Sequence, residues 1–174
     1  MENTKEMAIA AHDDLLLKAG KYLTFELGHE IYGLEILKVQ EIIGMMNVTR
    51  VPKTSTFVRG VINLRGKVIP VIDLRLKFGL EGKPDTERTC IIVVKIESKQ
   101  IEMIMGIIVD EVSEVIDIQS SQLEKTPNFS SNLNTDFLLG IGKVEEKVIM
   151  LLDIDKVLSN SEEAALLKIA GEKD

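Results

Sequence analysis

Apolar positions along this chain fall mostly into short runs. TCIIVVKIE, KQIEMIMGIIV and KVIPVID are rich in Ile and Val and bounded by charge or glycine, which predicts strands. KYLTFELG reads as another. In ILKVQEI and VDEVSEV the apolar residues recur every three or four positions, so each predicts a brief helical turn. DLRLKFGL and DIDKVLS predict short helices opening on an Asp cap. SNSEEAALLKIAG predicts a C-terminal helix, with Ser159 and Glu162 as a capping pair, Gly171 as its stop and Leu166, Leu167 and Ala170 docked. AIAAHDDLLLKAG predicts a loose N-terminal helix or an untethered tail.

The pattern occurs twice. Phe57–Leu74 (FVRGVINLRGKVIPVIDL) lies on Phe137–Ile154 (FLLGIGKVEEKVIMLLDI) without a gap, pairing Phe57 with Phe137, Gly60 with Gly140 and Asp73 with Asp153. Tyr32–Ile43 (YGLEILKVQEII) lies on Met105–Ile116 (MGIIVDEVSEVI), pairing Gly33 with Gly106, Val39 with Val112 and Glu41 with Glu114. The two matches keep their order, and their offsets differ by a short insertion that fits the polar run Thr126–Asp136. Two copies of one small β unit follow, near 30–80 and 90–158, with 1–20 as a tail and 159–174 as the closing helix and its end. Short strands with few helical turns suggest small barrels, in which closure removes exposed sheet edges. The strand 21–28 has no evident counterpart in the repeat. It is expected to complete one barrel, so the units share strands.

Composition changes this picture little. The 174 residues are 45% hydrophobic and 28% charged, a globular balance, and with 4% aromatics and no Trp the core must be aliphatic. A formal charge of -7 argues against a nucleic-acid surface. The basic residues Arg50, Lys53, Arg59, Arg65 and Lys67 nevertheless gather in one stretch. Cys90 is the single cysteine, expected to be a buried, reduced thiol in a cytosolic protein. No signal-peptide pattern opens the chain and no run is long enough to span a bilayer, so direct membrane insertion is not expected.

One residue resists a structural explanation. The tip between the two apolar runs of the first copy is Arg65-Gly66, whereas the second has Glu145-Glu146, which predicts a looser loop. Gly66 supplies the positive φ of a tight hairpin and is read as a structural turn residue. A turn gains nothing specific from a guanidinium. The plain reading of Arg65 is a solvated tip. Polar Asn63, bulky Leu64, and Val39 with Glu41, an acid able to pair with Arg65, favour a contact surface instead, since arginine beside apolar area is a common hot-spot composition.

Chemistry is otherwise sparse. His12, His29 and Cys90 have no activating partner in view, and no phosphate loop, dinucleotide fingerprint or metal-ligand spacing occurs, so no cofactor is expected. The best enzyme candidate is an acidic set, Asp110, Glu114 and Asp117, which on a helix would share a face able to hold a hard cation. A solvated face is the stronger reading, because of these positions the first copy keeps only Glu41 as an acid.

These passages together resemble the CheW chemotaxis coupling proteins from about Lys21 to Leu167. IYGLEILKVQEI, VTRVPKTSTFVRGVINLRGKVIPVIDLRLKFG, GIIVDEVSEV and LLDIDKVLSNSEEAALL carry the likeness, the NLRG hairpin with its VIPVIDLR strand most specifically. The resemblance implies a mainly β fold of two SH3-like five-stranded barrels. It also implies an adaptor without enzymatic activity, cytoplasmic and recruited to the receptor array, linking the chemoreceptor cytoplasmic tip to the regulatory domain of the histidine kinase CheA. By position it places Val39, Glu41, Gly60, Leu64, Arg65, Val112 and Val115 in receptor coupling, and kinase contacts on outer barrel faces and loops with no individual residue assigned. A CheW-like scaffold of another two-component pathway, serving pili or biofilm, would carry the same pattern.

Overall fold

A computed structural model of the chain describes residues 18–81, 83–98, 102–126 and 136–171. The expected N-terminal helix and most of the Thr126–Asp136 insertion lie outside these residues. Eleven strands run in chain order: β1 Gly20–Leu27, β2 Glu30–Glu35, β3 Val39–Gly44, β4 Val58–Leu64, β5 Lys67–Asp73, β6 Cys90–Glu97, β7 Glu102–Val109, β8 Glu111–Ile118, β9 Leu123–Glu124, β10 Leu138–Val144 and β11 Lys147–Leu152. Helix α1 is Leu74–Lys77 and α2 is Asn160–Gly171, and 3-10 turns occupy Ile36–Lys38, Ser120–Gln122 and Ile154–Lys156. The capping signals hold. Asp73 accepts from Arg75 N, Asp153 from Asp155 N, and Ser159 exchanges bonds with Glu162. Leu166 is buried and Leu167 half-buried, as the docked face requires, while the side chain of Ala170 is outside the description.

The strands form two sheets, ordered β8-β1-β2-β11-β10-β9 and β3-β6-β7-β5-β4. Each mixes the copies. The repeat near 30–80 and 90–158 describes the chain, whereas the sheets cross between the copies through parallel pairs, β2 with β11 and β5 with β7. β1 does have a counterpart, contrary to the sequence reading. β6 holds its position, since each is flanked by its own hairpin partner (β2 or β7) and by the other copy's edge strand (β8 or β3). The apolar runs of β1 and β6 differ enough in sequence to hide this equivalence.

Both sheets curl shut. In one, β9 pairs with β10 at Glu124 and Ile141, and in the other Thr49 bridges Val61, the residue aligned with Ile141. We call the sheet with β1 barrel A and the sheet with β6 barrel B. Gly60 has φ +145°, and a Cβ there would lie 2.0 Å from Thr49 O; a Cβ on Gly140 would lie 2.8 Å from Glu124 O. The repeated glycine therefore lets the returning chain cross the barrel seam.

Two segments expected to turn helically need correction. ILKVQEI has its 3-10 turn only at Ile36–Lys38 and continues as β3, and VDEVSEV is strand β8. In β3 the register slips between Val39 and Glu41, and opposite β8 it slips between Leu23 and Phe25. A bulge adds a residue to the two-residue period, which mimics helical spacing. The second correction concerns Glu145-Glu146, which forms a two-residue turn as tight as that of Arg65-Gly66, with Glu145 at φ +58°. The flanking register, Val144 opposite Lys147, holds a turn that the residues alone disfavour.

Alternation on β6 and β7 divides their side chains between two cores. Ile91, Val93 and Ile108 fill barrel B, whereas Ile92, Val94, Met105 and Ile107 face a central core shared with Phe25, Leu34 and Leu152. Barrel A has its own filling of Tyr22, Ile118, Leu123, Ile149 and Leu151. Cys90 is half-buried at the start of β6 rather than fully buried, and burial pushes its thiol pKa up.

Charge is also buried. Arg75, 1% exposed, donates through Nε and Nη2 to Asp73, through Nη1 to Asp110 Oδ1 at 3.0 Å and through Nη2 to Asp85 Oδ1 at 3.2 Å. Asp110 Oδ2 in turn accepts from Gly28 N at 2.7 Å in the β1–β2 turn, so this network fastens barrel B to barrel A.

Two stability outcomes follow. Gly60→Ala should cost at least about 3 kcal/mol by urea denaturation, whereas Gly44→Ala, with open space around its Cβ, should change stability by no more than about 1 kcal/mol. Arg75→Ala should cost about 3–5 kcal/mol, because it strands buried carboxylates.

Candidate functional site: the Arg65 hairpin and the bulged edge strands

The hairpin between β4 and β5 is locally specified. Asn63 Oδ1 accepts from Gly66 N at 2.9 Å, which accounts for a polar residue on an apolar strand. Gly66 lies at φ +87°, as its role in the turn requires, and Arg65 itself lies at φ +51°, a conformation uncommon for a residue with a side chain. From there the guanidinium reaches across the barrel seam. Its Nη1 and Nη2 donate to Glu41 Oε1 and Oε2, each at 2.6 Å. The pair is bidentate, the geometry for which arginine is suited and lysine is not.

Arg65 nonetheless keeps 72% of its side chain in solvent. Two of its five N–H groups serve Glu41, and the others have no acceptor among the described residues. Glu41 is held below the usual carboxylate range by the Arg65 hydrogen bonds, with the guanidinium charge acting in the same direction against modest desolvation. The second copy cannot reproduce the arrangement. Its aligned residues are Glu145 and Glu114, two acids.

Apolar surface accompanies the pair. Leu64 is half-buried against the filling of barrel B together with Ile43, and Ile42 and Val68 are exposed on β3 and β5. Val39 and Val112 hold aligned positions on the edge strands β3 and β8, and each packs half-buried against the central core. Val115 is 50% exposed on β8. The structure thus brings Glu41, Leu64 and Arg65 together, while Val39, on the far side of the bulge, turns to the central core. Val112 and Val115 lie on the edge of the other sheet. Gly60 stands apart from both groups, at the barrel seam, where its requirement is steric.

The acidic set does not assemble as a helix would place it. Asp110 is engaged by Arg75 and Gly28 N, and Glu114 and Asp117 lie on strand β8, Glu114 at its bulge, so the helical spacing that would gather them does not exist. Among the described residues no group of three or more His, Cys, Asp or Glu is placed to hold a metal ion. None of the helices described is long and apolar enough to cross a membrane.

The sequence reading missed the ion pairs that seat the edge strands. Lys38 Nζ lies 2.8 Å from Asp155 Oδ2, and Arg75 pairs with Asp110. A signal was present in the repeat. Arg75 and Asp155 align, each two residues after a capping aspartate at the end of an apolar strand, where a charge needs a partner.

Two interlocked β barrels with charged and apolar side chains displayed along their edge strands define a paired-barrel scaffold. Its residues 21–162 match the sequence profile of the CheW-like domain. The chain belongs to the CheW family of chemotaxis proteins. It is 42% identical to chemotaxis protein CheW of Klebsiella aerogenes over 150 residues, covering 86% of this chain and 88% of that protein. It is 32% identical to chemotaxis protein CheW of Helicobacter pylori over 157 residues, covering 90% and 92%. The crystal structure of the scaffolding protein TtCheW from Thermoanaerobacter tengcongensis superposes with a TM-score of 0.73 at 35% identity, covering 83% of this chain and 95% of that one.

The site makes a titration prediction. A glutamate with a depressed folded pKa contributes stability above its unfolded pKa and loses it as the pH falls through the lower folded value. Carboxyl-carbon NMR should therefore find Glu41 titrating below the ordinary 4.5, and Arg65→Ala should return the midpoint toward that value. A midpoint at or above the ordinary value in the unmodified protein would contradict the bidentate pair.

Proposed function

We propose that this chain is a chemotaxis adaptor that couples chemoreceptor signalling tips to the regulatory domain of the histidine kinase CheA, with no catalytic step of its own. Family membership supports the class of function, since the relatives are named as chemotaxis and scaffolding proteins. The observation that carries the receptor-facing surface is Arg65. Its backbone adopts a left-handed conformation, its guanidinium is anchored on one side by Glu41, and its free donors face solvent beside Leu64 and the edge of β3.

A receptor tip is a helical hairpin, and a helix laid against an apolar trough is an established recognition mode. The trough in this reading lies between the bulged edge strands. Val39 and Leu64 form one wall, Val112 and Val115 the other, and Arg65 sets the register by bonding a polar or acidic group on the helix. Gly60 contributes by keeping the β4 seam closed. Individual contacts of modest strength suffice when many adaptors bind one array. The protein would work in the cytoplasm, brought to the membrane by its partners.

The test is capture of a purified receptor signalling tip and of the CheA regulatory domain on immobilised protein. The unmodified chain should retain both. Arg65→Ala should weaken receptor capture by about 10-fold or more while leaving kinase capture and the thermal midpoint nearly unchanged. Arg65→Gly, which also relieves the left-handed backbone, should lose receptor capture without losing stability. Retention of neither partner by the unmodified chain would overturn the adaptor reading. Loss of both partners through unfolding of the Arg65 variants would overturn the assignment of this surface.

A further inference from the structure

The two bulged edge strands are seated in the same way but with inverted charge. Lys38 immediately precedes β3, and Asp110 immediately precedes β8. Each is gripped by the short turn or helix that follows an inner strand of the opposite copy. Asp155, after β11, holds Lys38, and Arg75, after β5, holds Asp110. Each grip also ties down a hairpin. Asp155 Oδ1 accepts from Glu97 N at 2.8 Å, and Asp110 Oδ2 accepts from Gly28 N at 2.7 Å.

The two seats differ in rigidity. Arg75 is enclosed and bonded to three aspartates. The β8 bulge is fixed further by buried Thr24, whose hydroxyl donates to Glu114 O at 2.8 Å and accepts from Glu114 N at 3.2 Å. On the other side Lys38 makes one bond to Asp155, and about a quarter of each side chain is exposed. At the place corresponding to Thr24, opposite Gly106 as Thr24 is opposite Gly33, β6 carries Val93, which cannot tie a bulge. The β3 bulge at Gln40 lies between Lys38 and Glu41. Its geometry therefore decides where Glu41 meets Arg65.

We propose that Lys38 and Asp155 are positioning residues, an adjustable anchor that sets the β3 bulge and through it the Glu41–Arg65 pair, so that a change at the end of β11 or β6 is felt at the receptor-facing surface. This rests on the adaptor reading above. The acids Glu35, Glu97, Asp153 and Glu163 surround the anchor, with Lys18 beside Glu35 and Lys156 beside Asp153, so a partner that places a basic or acidic group there would compete with or reinforce it. The route is one short physical chain, from Asp155 to Lys38, through the bulge at Gln40, to Glu41 and Arg65. β8, with its buried seat, is the fixed reference against which β3 moves.

The experiment uses the full chain with Lys38→Met, which keeps the apolar stem, and Lys38→Arg, which restores the charge. Hydrogen exchange of the free protein should be faster by about 2- to 5-fold at the β3 amides in Lys38→Met, with β8 unaffected, and Lys38→Arg should restore it. Receptor-tip binding should weaken by about 3-fold or more in Lys38→Met and recover in Lys38→Arg, with binding of the CheA regulatory domain retained. Unchanged β3 exchange overturns the inference, as does an equal rise in β3 and β8, which would mark general destabilisation. Unchanged receptor binding in Lys38→Met, while Arg65→Ala loses it, overturns the inference and leaves the adaptor reading standing. If Arg65→Ala leaves receptor binding intact, the surface assignment and this inference are overturned while the adaptor reading stands; if the unmodified chain captures neither partner, all three are overturned.

Discussion

The architecture depends on two parallel seams, β2 against β11 and β5 against β7, where strands far apart in sequence must lie side by side. Each seam has a glycine at the point of closest packing. A Cβ on Gly33 would lie 3.1 Å from Leu151 and 3.3 Å from Ile149, and one on Gly106 would lie 2.7 Å from Ile91 and 3.3 Å from Val71. Neither copy can finish a sheet with its own strands. The hairpin of one copy is completed by the hairpin of the other, and the central core forms only when both are present. The two barrels are therefore structurally interdependent, sharing strands and a central core.

Duplication gave two equal frames, and side chains have since made them unequal. The aligned residues Arg75 and Asp155 carry opposite charge, and each has found a partner of the opposite sign at the start of the facing edge strand. The buried version brings three acids to one guanidinium, which keeps that arginine charged well above its ordinary range through the Asp73 bonds foremost, despite the cost of burial. The exposed version is a single lysine–aspartate contact. One edge strand is thus held by an enclosed ion pair and the other by a partly exposed one.

The same divergence explains the guanidinium at the hairpin tip. With Glu41 on β3, an arginine at the first turn position can bridge the seam and still present donors outward. The second copy has acids at both aligned places and forms its turn by register alone. Two hairpins of one length and register thus carry tips of opposite charge.

By itself the sequence determined the repeat, the strand content, the Asp caps, the C-terminal helix and the singularity of Arg65. All of these rest on local periodicity, on short-range caps, or on comparing one copy with the other. What only the tertiary structure decided is everything that depends on a distant partner. The β1–β6 equivalence was hidden because it is a property of pairing rather than of side-chain identity. β8 looked helical because a bulge breaks the two-residue period that marks a strand. Glu145-Glu146 looked like a loose loop because its tightness comes from the register of β10 and β11. Val39 and Val112 could be aligned along the chain, but their common packing on a central core, and the grips of Asp155 and Arg75 on the strands that carry them, arise only when the copies interlock. Local propensity reports on a few neighbouring residues, whereas burial and ion pairing are set by strands that meet after the whole chain has closed.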